Sequence, residues 1–164
     1  MNTNPILLTY ASRYGSTQEV AGTITATLRQ EGLDVDLQPM REVKTLDSYA
    51  AVVLGAAIYN TRLHPDVHIF LAEHADVLRQ LPVALFILGP LGNSLGAMQN
   101  SRRQLDRDLA RYPWLKLVSI EVFVGKYDPA KLGFWGKLSP ASDNRDWEAI
   151  RSWANELAVQ FQPV

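Results

Sequence analysis

Thr9-Tyr10-Ala11-Ser12-Arg13-Tyr14-Gly15-Ser16-Thr17-Gln18-Glu19-Val20-Ala21 leaves an apolar run, Ile6-Leu7-Leu8, and enters a long helical pattern. A tight turn needs one or two small residues. This one carries Ser12, Tyr14, Ser16 and Thr17 around Gly15. A helix N-terminus offers unpaired N–H groups and the positive end of the helix dipole. Gly15 lets the backbone come close to a ligand, and hydroxyls add donors without adding charge. Ser16 or Thr17 acting as a plain helix cap is the simpler reading of a lone hydroxyl. The crowding of hydroxyls at a first strand–helix junction favours a bound phosphate.

Outward from this stretch the chain alternates. The runs Ile6–Tyr10, Ala51–Leu54, Val83–Leu88 and Leu117–Val124 are short, apolar and bounded by Pro5, Gly55, Pro82 with Gly89, and Gly125. Such runs predict strands buried on both faces, as in a parallel sheet. Leu33–Leu37 alternates and predicts an outer strand. Helical patterns cover Ser16–Gln30, with Gly32 as a stop signal, then Pro65–Leu81, which opens on a proline, Arg102–Tyr112 and Asp143–Phe161. Asp143 or Asp146 is placed to cap the last one. The order is β-α-β-β-α-β-α-β-α, with a missing or irregular helix between residues 38 and 50. This predicts a doubly wound α/β sandwich, with a five-stranded parallel sheet and helices on both faces. Ligands of such sheets bind beyond the carboxyl ends of the strands. That rule selects Ser12–Thr17, Ala56–Arg62, Gly89–Asn93 and Gly125–Asp128.

The 164 residues suit one domain, taken as 1–164, and no repeat, linker or low-complexity tract divides them. A formal net charge of -1 gives no field for nucleic acid or an acidic membrane. No cysteine is present, so thiol catalysis, disulfides and cysteine-ligated clusters are excluded. No signal peptide is visible, and no apolar stretch is long enough to span a bilayer. A cytoplasmic protein is the default expectation.

The phosphate compound is narrowed by elimination. A triphosphate loop needs lysine after its last glycine, and a dinucleotide fingerprint needs three spaced glycines. Neither pattern is here. A receiver domain would carry carboxylates at the strand ends, where Thr9, Tyr10, Ala56 and Ala57 stand. A mononucleotide remains.

Tyr10-Ala11-Ser12-Arg13-Tyr14-Gly15-Ser16-Thr17 resembles the flavodoxin phosphate loop, strand-Ser-x-x-Gly-x-Thr-helix. The resemblance implies a flavodoxin-like three-layer sandwich with strand order 2-1-3-4-5 and non-covalently bound FMN. Ser12, Arg13, Tyr14, Gly15, Ser16 and Thr17 would then surround the phosphate. Backbone groups of Ala56, Ala57, Ile58, Tyr59 and Asn60, and of Gly89, Pro90, Leu91, Gly92 and Asn93, would meet the ring edge. Tyr59 is placed to stack on the ring, or simply to cover the sheet end. The third loop has no aromatic, so the resemblance implies a flavin face that is more open, or one covered instead by Tyr127 or Trp135.

The similarity is closer to the branch that includes the menaquinone-dependent protoporphyrinogen oxidases. It runs through Asp47–Ala56, His64-Pro65, Phe123–Asp128 and Asp146–Ile150. Tyr59 stands where those oxidases often have arginine, and the Lys126–Asp143 connection is shorter than theirs. The resemblance implies an electron-transferring flavoprotein. Its partner would be a redox protein, or a small molecule such as a quinone if the chain is an oxidoreductase of the protoporphyrinogen oxidase type. Carriers of this family are usually strongly acidic, and this chain is near neutral. No residue is singled out as an acid–base catalyst, and oligomeric state is not legible.

Other features read more plainly. His64 and His68 lie four apart, yet no third ligand joins them, so a helix start and solvent-facing histidines are expected, with no metal. Arg102, Arg103, Asp106, Arg107, Asp108 and Arg111 mix signs and predict a solvated helix face. Leu132-Gly133-Phe134-Trp135-Gly136-Lys137-Leu138 is expected to fold back over the flavin loops, with peripheral membrane contact as the alternative.

Overall fold

The computed structural model describes residues 4–12, 15–59, 62–89, 95–127, 142–143 and 145–162. The chain opens with β1 (Ile6–Tyr10), every residue of which is buried. Helix α1 (Ser16–Gln30) follows and buries Val20, Ile24 and Leu28 along one stripe. It ends as Gly32 predicts. Gly32 takes φ of 90°, its N–H donates to Arg29 O, and Leu33 N–H donates to Leu28 O. These two bonds satisfy carbonyls the helix leaves open.

β2 (Val35–Pro39) then pairs parallel to one side of β1, and β3 (Ala51–Tyr59) pairs parallel to the other. Between them a single 3-10 turn, Met40–Glu42, stands where a full helix is missing. β4 (Arg62–Leu63) doubles back antiparallel on the end of β3. Helix α2 (Pro65–Glu73) is capped by His64, whose Nδ1 accepts from Asp66 N at 3.1 Å. A short α3 (Ala75–Leu78) follows a break at His74, so the expected Pro65–Leu81 helix is two pieces. The His74 ring lies 4.6 Å from that of Phe70 at the break.

β5 (Val83–Leu88) adds beside β3 and is buried throughout. Helix α4 (Leu95–Leu109) begins earlier than the Arg102 start expected from its leucine spacing. β6 (Leu117–Phe123) closes the sheet beside β5 as an edge strand. β7 (Lys126–Tyr127) pairs antiparallel with β8 (Ser142–Asp143). Helix α5 (Trp147–Phe161) ends the chain, and Asp146 rather than Asp143 caps it, its Oδ1 accepting from Ala149 N at 3.0 Å.

The main path is β2-β1-β3-β5-β6. With β4 set aside this is the expected 2-1-3-4-5 order, and the fold is the flavodoxin-like α/β sandwich. One core lies between the sheet and α1 with α5, and the other between the sheet and α2, α3 and α4. Alternate residues of β1 and β5 enter opposite cores, which is why both strands read as continuous apolar runs.

Candidate functional site

The carboxyl ends of β1, β3, β5 and β6, from which the expected ligand loops leave, lie side by side because these strands are neighbours and parallel. Their carboxyl ends are tied together just past the ladders. Ala11 N donates to Gly55 O at 2.9 Å, and Gly89 N donates to Phe123 O at 2.9 Å.

Gly15 is the residue before α1 and takes φ of 90°, ψ of -12°. That left-handed conformation is cheap for glycine and strained for other residues. Its N–H donates to Ser12 Oγ at 2.9 Å, so Ser12 shapes the turn with a lone pair and keeps its own proton to donate. The first helical bond runs from Glu19 N to Gly15 O. The amides of Ser16, Thr17 and Gln18 therefore precede the ladder and point out of the helix end. Among the described residues no side chain caps α1, so the cap reading of Ser16 and Thr17 fails.

Thr17 has no exposed surface, and its Oγ1 is buried with no hydrogen-bond partner among the described residues. Burying an unpaired hydroxyl costs free energy, and such an atom at a helix N-terminus calls for an acceptor. Helix amides, a glycine in the left-handed region and an orphaned hydroxyl fit a phosphate dianion. Tyr10, at the end of β1, has its phenol pushed up by burial and then by Glu42, so it remains a donor at neutral pH.

The second loop is different from expectation. Ala56, Ala57, Ile58 and Tyr59 are strand, not loop, because β4 supports the extension of β3 through Ile58↔Leu63 and Tyr59↔Arg62. Ala56 and Ala57 pair with Ile87 and Leu88 and send their side chains into opposite cores. Gly55 was a turn signal in the sequence, yet it lies mid-strand. A Cβ there would sit 2.1 Å from Phe86 Cζ, so its smallness accommodates that ring. A Cβ on Gly89 would meet Ser101 Oγ at 2.8 Å, which makes Gly89 a packing residue between β5 and α4.

Tyr127 lies in β7, opposite Ser142. Arg13, Tyr14, Asn60, Pro90, Leu91, Gly92 and Asn93 lie outside the described residues, as do Trp135 and the rest of Leu132–Leu138.

Arg145 was not anticipated. Its side chain is 3% exposed, directly before the α5 cap. Nη1 lies 3.3 Å from Glu19 Oε2 and 3.5 Å from Ser16 O. The guanidinium carbon lies 4.6 Å from the centroid of the Trp147 ring, a cation–π distance. The sequence signal was a lone arginine next to a tryptophan, just ahead of an Asp cap.

The three histidines are half-buried rather than solvent-facing, while His64 does stand at the expected helix start. His64 caps α2, His74 Nε2 is buried, and His68 Nδ1 bonds Tyr112 Oη. Burial, and then Arg111, pushes the His68 pKa down against the opposing pull of Asp108. Among the described residues no group of three or more His, Asp or Glu is placed to hold a metal ion. The mixed charges of α4 are largely exposed. Among the described residues no helix is long and apolar enough to cross a membrane.

A flavodoxin domain model matches residues 7–139. The protoporphyrinogen IX dehydrogenase (quinone) of Escherichia coli strain K12 is 24% identical, with 93% of each chain covered. Oxidised flavodoxin 1 from Bacillus cereus superimposes with a TM-score of 0.59 at 17% identity, covering 97% of this chain and 99% of that one. The flavodoxin of Streptococcus pneumoniae TIGR4 gives a TM-score of 0.60 at 19% identity, over 94% and 98%. With the domain match spanning most of the chain and the same sheet order in place, the chain belongs to the flavodoxin domain family and is an FMN-binding redox protein.

Proposed function

We propose that the chain passes electrons through FMN between small organic molecules, a porphyrinogen-type donor and a quinone acceptor, as the name of its Escherichia coli relative describes for that protein. The observation that carries this is the extent of that match, which runs through 93% of both chains. Charge supports it. The connections after β1, β3, β5 and β6 carry Arg13, Arg62, Lys126, Lys131, Lys137 and Arg145 against Asp128, Asp143 and Asp146. The sequence of these connections is more basic than acidic, unlike the acidic face by which a carrier steers to a basic protein, and that suits a carboxylate-bearing substrate.

In this reading Ser12, Ser16, Thr17 and the first amides of α1 hold the FMN phosphate, with Arg13, Tyr14 and Gly15 completing that loop. The ends of β3 and β5, Ala56–Asn60 and Gly89–Asn93, orient the ring, with Tyr59 or Tyr127 as its aromatic cover. Bound FMN supplies the redox chemistry, accepting electrons singly or in pairs, while the loops set its orientation and electronics.

A protein-to-protein carrier is the second reading. It is favoured by Tyr59, which stands where those oxidases often have arginine, and by the shorter Lys126–Asp143 connection. Anaerobic stopped-flow separates the two. FMN-loaded protein is expected to bleach with protoporphyrinogen and to recover its colour with menadione. Absence of both reactions, with rapid reduction by a flavodoxin reductase, would replace the enzyme with the carrier.

A further inference from the structure

Arg145 reaches the phosphate end of α1 from the far side of one peptide unit. The Ser16 carbonyl and the Thr17 N–H belong to the same planar group. Nη1 of Arg145 stands 3.5 Å from the carbonyl oxygen of that group, while Nη2 stands 3.4 Å from Glu19 Oε2. In an α-helix the carbonyl points toward the C-terminus and the N–H toward the N-terminus, so the Thr17 N–H is aimed out of the helix end. A cation at the carbonyl polarises the whole group and strengthens the N–H as a donor.

The guanidinium is buried and backed by the Trp147 ring, so solvent screens it weakly. Glu19 offsets part of its charge, but its side chain is 48% exposed and is screened far better. The same residue, Thr17, carries the orphaned hydroxyl. One residue of the loop is thus prepared for an anion twice, by an unpaired Oγ1 and by a polarised amide.

We infer that Arg145 is a positioning residue for the FMN phosphate: it fixes and polarises the Ser16–Thr17 peptide so that the Thr17 N–H and hydroxyl meet the phosphate. The device brings a positive charge to the anion without placing a cation in contact with it. It also makes the α5 cap region, far away in sequence, part of the cofactor site. The inference rests on the phosphate lying at the start of α1.

The test compares FMN with riboflavin, which has the same ring and no phosphate. Apo-protein is titrated with each, following flavin fluorescence, for wild type, Arg145→Gln, Arg145→Lys and Glu19→Gln. Arg145→Gln is expected to weaken FMN about tenfold and to change riboflavin by less than about twofold. Arg145→Lys recovers part of the loss, because it keeps the charge but not the planar fork. Glu19→Gln leaves FMN as tight or tighter, because it removes the offsetting charge.

Equal losses for FMN and riboflavin in Arg145→Gln would make Arg145 a structural strut and overturn the inference. So would a loss of FMN affinity in Glu19→Gln matching that of Arg145→Gln, since the ion pair rather than the peptide contact would then be at work. Wild type that binds FMN no better than riboflavin would instead remove the phosphate site on which the inference stands. Circular dichroism of each apo-variant checks that the fold is retained.

Discussion

Thr17 is held at a cost in the apo-protein, because its Oγ1 is buried with no partner. Thr17→Val keeps the shape and removes the hydroxyl. Apo-stability in urea is expected to stay level or rise by about 1 kcal/mol, while FMN binding weakens by about 1–2 kcal/mol. Opposite movement of the two quantities separates a ligand-directed hydroxyl from a structural one. Gly55 shows a different case, a residue that reads as a turn signal and is a packing residue within a strand. Gly55→Ala places a Cβ within 2.1 Å of the Phe86 ring, and overpacking of that kind is expected to cost about 1–3 kcal/mol in urea melts.

His68 gives a pH signature. Its folded pKa lies below the ordinary 6.5 through burial and then Arg111. The Tyr112 phenol, pushed up by burial, stays protonated and shares a hydrogen bond with His68 Nδ1. The unfolded state therefore takes up a proton first as pH falls. The stability from His68 is full above pH 6.5 and is lost as pH falls toward the folded pKa. Urea midpoints for wild type and His68→Gln are expected to differ most above neutrality and to converge in acid. A parallel fall of both curves would place the titration elsewhere.

At the scale of elements, α5 is locked to the sheet by aromatic packing. Trp153 stands edge-on to Phe86 and Phe123, with centroids 5.9 Å away in each case, and its Nε1 donates to Ser119 Oγ at 2.8 Å. Trp153→Ala is expected to lower stability by about 3–5 kcal/mol, measured by chemical unfolding. Because α5 also carries Trp147 beneath Arg145, loosening it should weaken FMN as well.

Elements whose interactions are local were legible. Ser16–Gln30 matches its helix to the residue, since Gly15 and Gly32 both take positive φ at its ends. Ile6–Tyr10 and Val83–Leu88 match because both faces are buried. What was missed depends on distant partners. β3 extends past Gly55 because the Phe86 ring lies over that glycine and β4 returns to pair with the strand. Arg145 reads as an exposed charge until α1 is known to pack beside α5, and the histidines read as exposed until α2 is seen to meet Tyr112 and Phe70.

At the scale of the whole molecule, the proposed site occupies one end of the sheet and the rest holds it in place. The strand order brings the ends of β1, β3, β5 and β6 side by side. The chain is near neutral, and the sequence that follows those strands carries more basic than acidic residues, unlike an acidic shuttle. Turnover of a small acceptor should accordingly depend less on ionic strength than protein-to-protein transfer does. Steady-state menadione reduction measured across a salt series is expected to vary little.

The account turns on the hydroxyl-rich junction between β1 and α1 holding a phosphate away from water. Phosphorus NMR of the FMN-loaded protein tests this most directly. A free phosphomonoester changes charge with a pKa of about 6. The bound resonance is predicted to be shifted from that of free FMN and to stay constant between about pH 5 and pH 8. A resonance that titrates like free FMN across that range would place the phosphate in solvent and contradict the account.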